Sequence, residues 1–160
     1  MAIDFGKIAA TKESFKLVSS KDSSLAEDFQ AEEYQNYLKT LDENILRRAP
    51  DNTEPFTYFH LKSSVKLEDA LAIENETMGF ARAQQEGKMP FASLAMAMAK
   101  SALIDVTVDG KSVMPKTDSK PSEAFLIALV RTRIVYDIYS ALEAQGAGIS
   151  GQNTDLAKKN

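Results

Sequence analysis

Pro55-Phe56-Thr57-Tyr58-Phe59-His60-Leu61-Lys62 and, further on, Val106-Thr107-Val108-Asp109-Gly110-Lys111-Ser112-Val113 bracket the stretch that decides the fold. The first is aromatic-rich and strand-like from Phe56 to Lys62. A period of two puts Phe56, Tyr58 and His60 on one face and Thr57, Phe59 and Leu61 on the other. Aromatic residues on both faces predict a strand covered on both sides, or covered by a partner. The second is a hairpin, because Asp-Gly accepts the positive φ of a type I′ turn.

Between these strands the pattern turns helical. Ser63 and Ser64 offer a cap, Glu68 and Asp69 suit the first turn, and apolar positions continue to about Glu86. Gly87 ends that segment and Pro90 opens the next. Phe91 to about Ile104 reads FASLAMAMAKSALI, where alanine favours helix and small side chains admit a close neighbour. Its methionines have two readings. They are core filler at helical spacing, the commoner case, or an adaptable groove for apolar segments of other proteins.

Upstream, Ser24 to Glu27 fits a capping box, and the helix it starts would run to about Arg48, before Pro50. Tyr34, Leu38, Leu41 and Ile45 form its apolar stripe. Residues 1–22 hold no period for long and read as a flexible arm. Alternatively, the arm docks its few apolar residues on a neighbouring subunit. Downstream, Met114 to Lys120 reads as a loop, and Ser122 to Glu143 as one helix whose apolar residues spread over more than one face. Such a helix is either central to the core or buried against a partner. Residues 146–160 read as a flexible tail. One globular domain over 23–145 is therefore expected.

Composition narrows the chemistry. The chain has 160 residues, no cysteine and a formal charge of −4. Disulfides, zinc–thiolate sites and thiol catalysis are excluded, and no basic stripe for nucleic acid is present. No apolar run reaches membrane-spanning length, and the N-terminus lacks the apolar core of a secretory signal. His60 is the only histidine, so any acid–base, triad or metal scheme must pass through it. In an aromatic strand without cysteine or a second histidine, a structural or surface role outweighs a catalytic one. Asp105-x-Thr107-x-Asp109-Gly110 mimics the start of a calcium loop, but its twelfth position is Lys116 rather than a glutamate. The glycines form no phosphate-binding loop. No catalytic residue, metal or cofactor is expected.

The aromatic strand with His60-Leu61-Lys62, the acidic helix after it, a further helix and the Val-x-Val-Asp-Gly-Lys hairpin together resemble the tail assembly chaperones of tailed bacteriophages. More loosely, they resemble the small structural proteins of phage morphogenesis modules. The resemblance covers roughly Pro55 to Val113. It implies a non-enzymatic assembly protein that works through contacts with other phage proteins, in the host cytoplasm or in the virion. The alternative is a structural virion subunit, such as a capsid, neck or tail-adaptor component, whose arm and tail order on assembly.

The expected fold is α+β and predominantly helical, with three to four helices and a small antiparallel sheet from strand 56–62 and hairpin 106–113. The expected contact residues are Phe56, Tyr58, Phe59, Met96 and Met98, together with Ile127, Tyr136 and Tyr139 on the last helix. A homo-oligomer or a tight complex with another assembly protein would bury them. Neither nucleic acid nor membrane is an expected partner.

Overall fold

The computed structural model describes residues 14–63, 72–75, 78–79, 82, 85–86 and 91–145. A four-stranded antiparallel sheet in the order β1-β2-β3-β4 organises the chain. Its strands are β1 (Ser14–Val18), β2 (Thr57–Lys62), β3 (Leu103–Val108) and β4 (Lys111–Ser112). Helix α1 (Ala31–Thr40) and a 3-10 turn (Glu43–Ile45) lie between β1 and β2. Helical residues at 72–75, 78–79, 82 and 85 precede α2 (Phe91–Ala102), which runs directly into β3. A second small sheet pairs β5 (Lys116–Thr117) with β6 (Lys120–Pro121), and α3 (Glu123–Arg131) and α4 (Ile134–Ala144) close the fold.

This corrects the expectation of a predominantly helical protein. Among the described residues 46% are helical and 22% strand, in two antiparallel sheets, so the class is α+β with a substantial sheet. Two hairpins contribute to it. Asp109 and Gly110 both take positive φ, 52° and 74°, and turn β3 into β4. Asp118 and Ser119 do the same at 52° and 66° between β5 and β6, within the stretch read as a loop.

The largest correction is β1. The flexible arm expected over 1–22 is, from Ser14 to Val18, a strand paired along its length with β2. Phe15 and Leu17 pair with Leu61 and Phe59, so the alternation F-x-L joins the inner face of the sheet. Residues 1–13 and the expected tail over 146–160 lie outside the described residues.

Two expected helices are also shorter than the sequence suggested. Instead of the capping box at Ser24, the N-cap of α1 is Gln30, whose main-chain N–H is held by the Glu33 carboxylate at 3.0 Å. Leu25 instead bridges Arg48, with Ala26 N–H donating to Arg47 O at 2.8 Å and Ala49 N–H to Ser24 O at 2.9 Å. Leu41 stops α1 in a left-handed conformation, φ 55°. The helix read over Ser122–Glu143 breaks at Thr132-Arg133. Thr132 Oγ1 bonds back to Ala128 O at 2.8 Å, and Arg133 takes φ 63°. The break redirects the chain, so most apolar residues that would scatter around one helix face inward on two, while Ile127 stays exposed.

One core unites the layers. Leu17, Phe59, Leu61, Leu103 and Val106 of the sheet share it with Leu94, Met98, Val135, Ile138 and Leu142 of the helices. Ala95, Ala99 and Ala102, all fully buried, fall at i, i+4 and i+7 of α2, which packs on α4. Small side chains there let the two backbones approach closely. Among the described residues, no helix is long and apolar enough to cross a membrane.

Candidate contact surface on the outer face and edge of the sheet

The strand alternation that sends Phe59 and Leu61 inward sends Tyr58 and His60 outward. On this outer face Lys16, His60 and Asp105 stand at one level across β1, β2 and β3, and Val18, Tyr58 and Thr107 at the next. His60 Nε2 shares a hydrogen bond with Thr107 Oγ1 at 2.8 Å. Lys16 Nζ lies 5.1 Å from the centre of the Tyr58 ring, within cation–π range. Burial, and next its hydrogen bond with Glu43, pushes the Tyr58 hydroxyl up to about 12.

Asp105 is occupied by its own neighbours. It accepts from Ser112 Oγ at 2.7 Å and from Val106 N–H at 2.9 Å, and Lys116 Nζ lies 3.7 Å away. The Ser112 bond leads in holding its carboxyl below the usual range. A nucleophile–base–acid relay needs the carboxylate to orient the imidazole. Here the carboxylate orients Ser112, and Thr107 stands on an open strand face. Among the described residues, no group of three or more His, Cys, Asp or Glu is placed to hold a metal ion.

An open cleft of about 1040 Å³ runs beside this face, along the outer side of β1. Ser14 and Lys16 line it from the strand, His60 from the sheet, and Leu41, Asp42 and Glu43 from the end of α1. Of these, only His60 and Leu41 stood out in the sequence, Leu41 as part of a helix's apolar stripe. The signal for the strand was present in the Phe15-Lys16-Leu17 alternation, but the acidic loop opposite is brought there only by the tertiary fold.

The residues singled out from the sequence divide into two groups. Phe56, Phe59 and Met98 are buried in the core, so they offer no contact surface in this chain. For methionine 98 the core-filler reading holds. Phe56 instead carries Arg48, whose guanidinium sits 4.0 Å from the ring centre. Tyr58, Met96, Tyr136 and Tyr139 are half-buried and pack against the core, while Ile127 is exposed on α3. The fold therefore brings Tyr58 alone of these to the outer face of the sheet. Comparison with protein families, curated proteins and solved structures finds no match for this chain.

Proposed function

We propose that this chain works by protein–protein contact rather than by catalysis, as an assembly factor of the kind its central stretch resembles, in the host cytoplasm during phage assembly. The observation that carries the reading is the outer face and edge of a four-stranded sheet, exposed at Ser14 and Lys16 and half-exposed at Tyr58 and His60, beside a cleft with mixed charge rather than a closed, mostly apolar chamber. His60 supports it too, since its bonded partner is a strand threonine and the nearby carboxylate is engaged elsewhere. Lys16, Tyr58, Asp42 and Glu43 supply the charged and aromatic groups through which such a surface would select partners.

The test is deletion of the gene in a strain that produces the particles, with purified particles analysed by quantitative mass spectrometry. An assembly factor is expected to be required for particle yield yet absent from mature particles. Presence at fixed stoichiometry would make the chain a structural subunit, and unchanged yield after deletion would overturn both. A complementing His60→Asn variant is expected to restore yield fully. Failure of that variant while well folded would overturn the non-enzymatic reading.

A further inference from the structure

Among the described residues, the outer edge of β1 is only half closed. In an antiparallel ladder, successive residues alternate between pointing their N–H and C=O groups at the neighbouring strand and away from it. Val18 points both away from β2, and two tyrosines of α1 take them: Val18 N–H donates to Tyr37 Oη and Tyr34 Oη donates to Val18 O, each at 2.9 Å. Lys16 and Ser14 share the parity of Val18, so their N–H and C=O groups face the same way. No hydrogen bond from a described residue reaches them. The cleft described above is lined by Ser14 and Lys16 of this stretch together with Asp42 and Glu43.

We propose that the edge of β1 at Ser14–Lys16 is a docking site for an extended peptide segment of a partner protein, with alternating apolar and basic side chains, which adds a strand to the sheet. This rests on the reading of the chain as a protein-interaction module and names the class of partner. Main-chain donors and acceptors in a row that no described residue pairs select an extended chain whatever its sequence. Side chains of an added strand alternate between two sides. One side meets half-buried Phe15 and Leu41, which pack against the core cluster and accept an apolar residue. The other meets Lys16 and the exposed acids Asp42, whose Oδ1 takes the Asn44 N–H, and Glu43, which bonds the Tyr58 hydroxyl. The remaining carboxylate oxygens of this acidic pair accept a lysine or arginine. The loop that carries these acids lines the same cleft as the edge. A single strand needs only the spacing of about 4.8 Å between neighbours, whereas the sheet edge of a second copy would bring a whole domain against that loop. The two tyrosines on Val18 fix where the added strand must stop.

The test uses the full chain, labelled with nitrogen-15, and the synthetic peptide acetyl-Thr-Val-Lys-Val-Lys-Val-Thr-amide. Saturable shifts confined to 14–16 and 41–44 are expected. N-methylation of alternate peptide residues is expected to weaken binding by about tenfold or more, because it removes ladder donors without altering side chains. Lys16→Pro removes an outward donor that the β1–β2 ladder does not use, and it should weaken binding similarly. A peptide with glutamate in place of each lysine should not bind. Absence of saturable shifts at about 1 mM peptide, or indifference to N-methylation, would overturn the proposal. Tighter binding of a peptide spanning residues 1–13 would give the edge to the chain's own N-terminal segment. Self-association abolished by Lys16→Pro would give it to a second copy, and either result would also overturn the proposal. If particle yield requires the gene and no peptide docks, this proposal alone fails. If the peptide docks while yield is indifferent to the gene, the assembly reading alone fails.

Discussion

Ser20 is tied to Asp137 twice on one oxygen: Asp137 Oδ2 accepts from the Ser20 N–H at 2.9 Å and from its hydroxyl at 2.8 Å. Ser19 Oγ adds a third bond at 2.7 Å. The carboxylate of α4 thus closes the end of β1, joining the first described strand to the last helix. Hydrogen bonds to a charged group contribute about 1.5–3 kcal/mol each, and neighbours sharing one acceptor do not add fully. Asp137→Ala is expected to lower stability by about 2–3 kcal/mol, and Asp137→Asn by less, since an amide oxygen still accepts but carries no charge. The urea midpoint should fall at constant slope. An unchanged midpoint in Asp137→Ala would mean the closure is not needed.

Tyr34 and Tyr37 substitute for a missing neighbour strand at Val18, a residue with no exposed surface. Phenylalanine keeps each ring packed but strands a buried main-chain group. Each of Tyr34→Phe and Tyr37→Phe is expected to cost about 1–3 kcal/mol. The double variant should cost less than the sum, because both act on one residue. Denaturation of the three variants forms the cycle that checks this.

The same tyrosines make the fold sensitive to alkali. Burial pushes the Tyr37 hydroxyl up to about 12, and it raises Tyr34 further still, with the charge of Asp137 adding to the rise. An unfolded tyrosine ionises near pH 10. The folded state therefore holds its proton where the unfolded state has lost it. The stabilising contribution is complete below about pH 10 and declines as pH rises toward the folded value. Urea midpoints between pH 8 and pH 11.5 should be flat and then fall, with the fall reduced in Tyr37→Phe. A midpoint that stays level throughout would contradict the assignment.

Much of the sheet was legible because its signals are local. Asp109-Gly110 announces its turn within two residues, and Phe56 to Lys62 carries enough aromatic residues to read as a strand. β1 was not legible. Five residues with one alternation are too short to outweigh the polar context of the arm, and their partners lie far along the chain. Nor could composition reveal the break at Arg133, since arginine carries no preference for a left-handed conformation. The contact residues show a different limit. Phe56, Phe59 and Met98 are apolar letters that serve a core as well as an interface, and burial alone separates the two. The cleft was hidden for the reason β1 was, since one of its walls is that strand.

Gly110 offers a clean measure of turn strain. Its φ is 74°, and a β-carbon built there would meet no atom within 4 Å. Any cost of Gly110→Ala must then come from the backbone conformation and not from a clash. A left-handed residue with a side chain is disfavoured by about 1–2 kcal/mol, offset in part by the entropy alanine removes from the unfolded chain. The expected net loss is about 1 kcal/mol. D-alanine at the same position, introduced by chemical ligation, should stabilise instead. Equal melting temperatures for the two alanine enantiomers would show that the hairpin does not hold this geometry in solution.

Arg133 presents the converse case, a position where the natural residue is the strained one. It adopts φ 63° between α3 and α4, with no side-chain cap bond of its own, and it is exposed. The strain persists because Thr132 and Arg133 cap the end of α3, with their N–H groups donating to Ala128 O and Val130 O at 3.0 and 3.1 Å. Glycine removes the steric penalty of about 1–2 kcal/mol, while its extra freedom in the unfolded chain returns about 0.5–1 kcal/mol. Arg133→Gly is therefore expected to stabilise by about 0.5 kcal/mol. Arg133→Val should destabilise by 1 kcal/mol or more, roughly, because branching at the β-carbon crowds the left-handed region further. If the sequence formed one continuous helix over Ser122–Glu143 the order would reverse, with glycine destabilising an exposed helix interior by about 1 kcal/mol. The sign of the Arg133→Gly shift in thermal unfolding thus reports directly whether the last two helices are separate.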